Sequence, residues 1–111
     1  MQPFLQDVIV RFMRSVISVE PLGVPSVRRS ISVTNTSANQ ALTSTCLRAS
    51  ILAIGADIRF EVSSSSATAS TTSHLILEGE RLDIHLPVTP NIAAIRNGSV
   101  NGTLEITELL N

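Results

Sequence analysis

The sequence predicts an all-β fold, a small antiparallel β-sandwich of jelly-roll-like architecture that follows an N-terminal arm. Polar and apolar residues alternate with period two from Arg29 onward, which is the pattern of half-buried strands. Apolar stretches recur about every 8–12 residues with turn residues between them, as in sandwiches and barrels. The 111 residues suffice for one hydrophobic core and not two. We therefore expect an arm and connector over 1–25 and one sandwich over 26–111.

The composition indicates an aliphatic core and an uncharged surface. Hydrophobic residues make up 43% of the chain but aromatic residues only 3%, with no Trp or Tyr. The eight basic residues are all Arg, and the formal net charge of -1 argues against a nucleic-acid partner. Ser and Thr are abundant instead, which suits packing against neighbouring subunits. The mean hydropathy of +0.30 is high for so short a chain, so some apolar side chains should lie on a partner surface.

The first twenty residues carry apolar residues in pairs with a four-residue spacing. On a helix this spacing makes one stripe, and Pro3 suits the first helical position, whereas the many β-branched residues argue against a helix. A helix is slightly favoured. The arm either covers the open end of the sandwich or docks on a neighbouring subunit. The candidate partner interface comprises Phe4, Leu5, Val8, Ile9, Phe12, Met13, Val16, Ile17, Arg28 and Arg29.

Pro21, Gly23 and Pro25 predict a break in regular structure between the arm and the first strand. The predicted strands are 29–35, 41–42, 47–53, 58–62, 74–77, 82–86, 92–96 and 103–109. Asn97-Gly98 and Asn101-Gly102 tolerate positive φ and predict a hairpin between the last two strands. Residues 63–73 are only Ser, Thr and Ala, which predicts a flexible surface loop, with a sugar- or partner-contacting loop as the alternative.

Chemistry-bearing residues are few. His74, Asp83 and His85 form the one candidate metal or acid–base set, but a zinc site needs three or four converging ligands, and exposed polar positions on amphipathic strands explain them better. Cys46 stands alone and fits a small strand residue better than a nucleophile. With no nucleophile elbow, phosphate-binding loop or zinc-binding helix motif, neither an enzyme nor a cofactor is expected.

Four arginines lie in or beside strands whose other face is apolar, so their guanidinium groups should meet carboxylates on the sheet surface or across a subunit boundary. These arginines are Arg48, Arg59, Arg81 and Arg96, and the candidate carboxylates are Glu61, Glu80, Glu105 and Glu108. Arg28 and Arg29 otherwise fit a solvated strand start, because no aromatic platform for a nucleic acid accompanies them.

No secretion signal is expected, since Met1-Gln2-Pro3 holds no base and Asp7 and Arg11 interrupt the apolar run. No apolar stretch approaches the roughly 20 residues that cross a bilayer, so no membrane partner is expected.

From Leu47 onward the chain carries a series of strand and turn motifs, namely Leu47-Arg48, Asp57 to Phe60, the Ser/Thr/Ala loop, His74 to Leu82, Asn91 to Arg96 and Gly102 to Leu109. With these motifs it resembles a group of small structural proteins of tailed bacteriophages. In that group a strand ending in an IAAIR-like run is followed by a glycine turn and a final GTLxITEL-like strand.

The resemblance implies a non-enzymatic virion component, similar to head decoration or cement proteins that trimerise on the capsid lattice. Its partners would be the major capsid protein or other virion subunits. It would be assembled in the host cytoplasm and lie on the outer surface of the head. The alternatives are a tail, neck or baseplate component, and a glycan-binding β-sandwich, against which the lack of Trp and Tyr counts.

Overall fold

A computed structural model describes residues 23–110, which form eight β-strands and no helix. The strands, numbered here in chain order, are β1 Val24–Val33, β2 Ala38–Ala41, β3 Arg48–Ile54, β4 Ile58–Ser63, β5 His74–Ile76, β6 Arg81–His85, β7 Asn91–Arg96 and β8 Gly102–Leu110. The expected arm, including Phe4 to Ile17, lies outside the described residues. Within the described part, no helix is long and apolar enough to cross a membrane.

The strands form two antiparallel sheets of four. Sheet I has the order β1-β8-β3-β6, and sheet II has the order β2-β7-β4-β5. Along the chain, every connection crosses from one sheet to the other except the one between β4 and β5. Eight strands wound in this way make a jelly roll. The predicted all-β sandwich is therefore confirmed.

The core between the sheets is aliphatic, as the composition predicts. Its fully buried members include Val33, Ile51, Ile58, Ile76, Ile92, Leu104 and Ile106. Each is flanked along its strand by residues that point to the other face, which is the period-two alternation seen in the sequence. Burying one such side chain contributes about 1.5–3 kcal/mol. Phe60 is buried with them, its ring centre 5.5 Å from that of His74.

The first strand begins earlier than the sequence predicts. β1 starts at Val24, so Val24 and Pro25 belong to the sandwich rather than to the connector. Pro25 is the register partner of Leu109 in β8, and β1 has no second neighbour among the described strands. An edge strand tolerates a proline because one side of it needs no ladder hydrogen bonds. The break expected at this proline was therefore wrong.

The predicted hairpin between the last two strands is also wrong. β7 pairs with β2 and β4 in sheet II, whereas β8 pairs with β1 and β3 in sheet I. The Asn-Gly pairs thus lie in a connection between sheets. Gly102 is needed there for its small size, because a Cβ on it would come within 2.6 Å of the Ile54 carbonyl oxygen.

The Ser/Thr/Ala segment connects β4 to β5 within sheet II and is held by hydrogen bonds to other parts of the chain. The backbone N–H of Ala67 donates to Asn39 Oδ1 at 2.8 Å, and that of Ala69 donates to Ser37 Oγ at 2.8 Å. Ala69 is itself buried. The segment is therefore attached to β2 and to the turn before it, whereas the sequence suggested a freely flexible loop.

Candidate functional site

One end of the sandwich carries exposed apolar side chains. The first five residues of β1 are all exposed, whereas Ile31 and Val33 farther along are buried, so this part of sheet I projects past the core. The end patch, as we call it, consists of Val24, Val27, Leu47 and Leu110, whose exposures are 61%, 40%, 49% and 55%. Val24 and Leu110 are register partners and therefore share a face. A groove of about 210 Å³ runs between Val27, Leu47 and Leu110.

Glu108 lines the bottom of this groove and forms an ion pair with the partly buried Arg29. Arg29 Nε donates to Glu108 Oε2 at 2.7 Å, and the backbone N–H of Thr43 donates to the same oxygen at 3.0 Å. Arg29 Nη2 also donates to Thr43 Oγ1 at 3.3 Å. Glu108 is only 1% exposed. The pair joins β1 and β8 to the loop between β2 and β3, and so fixes the shape of the groove.

The surroundings of Glu108 keep its carboxyl group charged. Burial by itself raises the pKa of this carboxyl group, because the charged form loses its hydration. The hydrogen bonds from Thr43 and Arg29, with the positive charge of Arg29, outweigh burial and hold the pKa below the ordinary value of 4.5. A charge-assisted, hydrogen-bonded pair is thus present at neutral pH.

The edge of β1 that no described strand covers is unsuited to strand addition. Arg28 pairs with Thr107, and Pro25 pairs with Leu109. Two residues of β1 thus lie between these pairs and only one of β8, so β1 carries one extra residue, a β-bulge. Ser26 Oγ, in this bulge, donates to the Glu108 carbonyl oxygen at 3.1 Å. Bulges and prolines both discourage edge-to-edge pairing. A further strand is therefore not expected to pair with this edge.

A row of polar side chains crosses the outer face of sheet I. Arg28, Thr107, Ser50 and Asp83 are successive register partners and make a row across all four strands. A groove of about 630 Å³ follows this row. Ser50 is buried and its hydroxyl oxygen accepts from Arg81, so Arg28, Thr107 and Asp83 are the members of this row that a ligand could reach.

Three of the four arginines donate to neutral oxygens of the same chain instead of forming the predicted pairs with its carboxylates. Arg59 donates to Asn97 Oδ1 at 2.9 Å and to the Ser73 carbonyl oxygen at 3.0 Å. Arg81 donates to Ser50 Oγ at 2.9 Å, and Arg96 donates to Asn101 Oδ1 at 2.7 Å. Pairing of these arginines with carboxylates across a subunit boundary stays a prediction.

Arg28 and Arg29 pair with carboxylates instead. Arg28 Nη1 lies 2.8 Å from Glu105 Oε1, and the Arg28 side chain is still 69% exposed. Arg29 is held by Glu108 beneath the end patch. Of the predicted partner interface, these two are the residues that the structure describes, and it places them on opposite faces of β1 at the same end of the sandwich. Their contact with a partner stays a prediction.

The candidate metal set is not brought together. His74 lies on β5 in sheet II, whereas Asp83 and His85 lie on β6 in sheet I, and all three are exposed. Among residues 23–110 no group of three His, Cys, Asp or Glu side chains could hold a metal ion. Cys46 is buried, and its thiol donates to the Arg48 carbonyl oxygen at 3.1 Å.

Sequence reasoning missed the end patch and the floor beneath it. Glu108 follows Leu104 and Ile106 at two-residue intervals, so the alternation itself places its carboxylate on the core face of β8. That parity could have identified Glu108 as buried. Thr43 and Leu47 lie in or beside an irregular loop, where no periodicity predicts which side chains meet.

Comparisons with protein-family models, with curated proteins and with solved structures find no match to this chain. The jelly roll alone does not specify a function, since this fold carries many.

Proposed function

We propose that the protein is a non-enzymatic structural subunit of a tailed-phage virion, a decoration or cement protein that binds the outer surface of the head as a trimer. The observation that carries this proposal is the end patch. On a domain of this size, exposed aliphatic side chains gathered at one place are a feature of protein–protein interfaces.

The surroundings of the end patch suit a permanent contact. The Arg29–Glu108 pair below it is already satisfied within the chain, so a partner can cover the patch without leaving a charge unpaired. Arg28 and the hydroxyl-bearing side chains on the neighbouring outer face supply a polar rim. An apolar centre with a polar rim is the usual anatomy of a subunit interface.

The assignment to a phage head rests on the resemblance of the chain from Leu47 onward. Two of its motif strands, 91–96 and 102–109, fall on β7 and β8, at the middle of both sheets. A subunit repeated over a lattice gains avidity from many contacts that are each weak, so no single contact needs to be large.

Binding to heads tests the proposal directly. Heads purified from the phage that encodes this chain, after deletion of its gene, are mixed with the full-length protein and sedimented. We expect the native protein to sediment with the heads until its binding sites are saturated. The Val27→Ser/Leu47→Ser variant should stay in the supernatant. Leu75→Ser/Leu77→Ser, which changes exposed leucines in and beside β5, is the matched control. Binding to purified tails but not heads would favour the tail, neck or baseplate alternative; binding to neither would contradict a virion role.

The outer groove of sheet I favours a second candidate, a glycan-binding module. Arg28 and Asp83 lie on either side of the Thr107 hydroxyl group, and sugar hydroxyls need donors and acceptors of this kind. In an NMR titration of the isotope-labelled native protein with oligosaccharides, the amide resonances of Ser50 and Thr107 should shift. The same resonances of the Asp83→Asn variant should not shift. Equal responses of the two proteins would count against this candidate.

A further inference from the structure

Among the edge strands of residues 23–110, β6 alone lacks the backbone features that protect an edge. At the other edge of sheet I, β1 has its proline and its bulge. In sheet II, β5 has only three residues, and the Ser/Thr/Ala segment is hydrogen-bonded to Asn39 of β2. β6 has five residues, no proline and an unbroken register with β3. Short strands, prolines, bulges and covering segments all discourage strand addition, so β6 is the edge that can accept a further strand.

The side of β6 that faces away from β3 presents the backbone groups of Arg81 and Asp83. At one end of the β3–β6 ladder, the Ala53 N–H donates to the Glu80 carbonyl oxygen at 3.2 Å. Bonded and non-bonded pairs alternate along an antiparallel ladder, so the even-numbered residues of β6 bond to β3. The N–H and C=O groups of Arg81 and Asp83 therefore point to the side on which no described strand lies.

The side chains of β6 are complementary to a second β6. We propose that β6 pairs antiparallel with β6 of a second copy of this chain about a two-fold axis, with Arg81 of each copy opposite Asp83 of the other. Both side chains are exposed on the outer face of sheet I. Opposite charges that face each other across a strand pair stabilise it, and like charges destabilise it. Because the axis passes through Leu82, the favourable contact occurs twice.

Other registers of the same pairing fit less well. Registers that set Asp83 opposite Asp83, or Arg81 opposite Arg81, bring like charges together. A register that sets Asp83 opposite His85 places Arg81 opposite Pro87, which has no N–H for the ladder. In the proposed register both charged groups are available, since Asp83 has no ion-pair partner within the described chain. Arg81 donates one N–H group to Ser50 Oγ and has others to donate.

This contact goes beyond the proposed function and does not use the end patch. A two-fold pair cannot lie inside a three-fold trimer, so on a head it would link one trimer to the next. Two five-residue strands bury far less than the roughly 1,200 Å² of a stable interface. The pairing is therefore weak in dilute solution and becomes effective where many copies are held close together on a lattice.

A disulfide trap combined with charge reversal tests the pairing. Full-length chains carry Cys46→Ala, which removes the one native cysteine, and Leu82→Cys. Leu82 lies opposite itself in a non-bonded pair, where Cα atoms are about 4.5 Å apart and a disulfide can form. Oxidation should give a covalent dimer, and Arg81→Glu alone or Asp83→Arg alone should lower its yield. Val100→Cys in place of Leu82→Cys measures random collision, because Val100 is 60% exposed.

Mixing the two charge variants should restore the dimer. Differently tagged Arg81→Glu and Asp83→Arg chains place opposite charges at both contacts, so their covalent heterodimer should exceed either homodimer about tenfold. Glu61→Arg is the matched control for Asp83→Arg, since it changes the net charge equally but lies on β4 inside sheet II. With this control one contact stays repulsive, and the yield should be intermediate. A mixture no better than the control, or a link at Leu82→Cys no more abundant than at Val100→Cys, would overturn the pairing.

Hydrogen exchange gives a second measurement that needs no substitution. In the native protein the amide groups of Arg81 and Asp83 should exchange more slowly as the protein concentration rises, because pairing protects them. The amide group of Ile84 is bonded to β3 and should not respond. Fast exchange of Arg81 and Asp83 at every concentration would overturn the inference. Slow exchange at every concentration would show that the chain covers its own edge, and would overturn it as well.

Discussion

Arg29 Nε and Glu108 Oε2 lie 2.7 Å apart beneath the end patch, with Glu108 almost completely enclosed. The pair connects the edge strand β1 to β8, and Thr43 ties the loop before β3 to the same carboxylate oxygen. The shape of the candidate interface therefore depends on a charge pair that the hydrophobic pattern does not reveal.

Breaking this pair should destabilise the protein strongly. Glu108→Ala leaves the Arg29 guanidinium partly buried and unpaired, and removal of one member of a buried pair costs about 3–5 kcal/mol. Glu105→Ala is the matched control, since it breaks the exposed pair with Arg28 and should cost about 1 kcal/mol or less. Urea unfolding of the three proteins measures both values. Equal losses would show that the Glu108 pair is no stronger than a surface pair.

The same carboxylate should make stability fall in acid. Because the fold lowers the pKa of Glu108, its contribution is fully present above the ordinary value of 4.5 and is lost as the pH falls through the lower folded-state pKa. The urea midpoint of the native protein should therefore decrease more steeply than that of Glu108→Gln as the pH falls below 4.5. Parallel pH profiles would contradict the lowered pKa.

Gly102 should not accept a side chain. A Cβ there would meet the Ile54 carbonyl oxygen at 2.6 Å and the Ala56 Cβ at 3.0 Å, and backbone cannot easily give way. Gly102→Ala should cost about 1–3 kcal/mol through overpacking. Gly98→Ala is the control, because nothing lies within 4 Å of its Cβ position. Thermal unfolding should separate the two, and an unchanged midpoint for Gly102→Ala would refute the close contact.

Asn39 should determine how firmly the Ser/Thr/Ala segment is held. Its side chain accepts from the Ala67 N–H at 2.8 Å and donates to Asn91 Oδ1 at 2.9 Å. Asn39→Ala should speed amide hydrogen exchange at Ala67 at least tenfold, while Gln40→Ala, whose side chain donates to the adjacent Ala41 carbonyl oxygen, should not. Fast amide exchange at Ala67 in the native protein would show that the hydrogen bond from Ala67 to Asn39 does not hold the segment in place.

The strands were predictable because each is half-buried, and period-two alternation reports that burial directly. Which strands pair was not, since a jelly roll joins residues distant in sequence, such as Gly102 and Val33. The Asn97-Gly98 pair is typical of hairpin turns, but here the chain crosses from sheet II to sheet I instead of folding back on the same sheet. The end patch was hidden for a related reason, because Leu47 meets Val27 and Leu110 only through the register of β1, β8 and β3.

The central claim is that the end patch holds copies of this chain together, and sedimentation equilibrium tests it most directly. The native full-length protein should have the mass of a trimer, and Leu75→Ser/Leu77→Ser should match it. Val27→Ser/Leu47→Ser removes two side chains, each contributing about 1.5 kcal/mol or more when buried, and should weaken association at least 100-fold and give a folded monomer. A patch variant with the native mass, or a native protein that stays monomeric, would contradict the account.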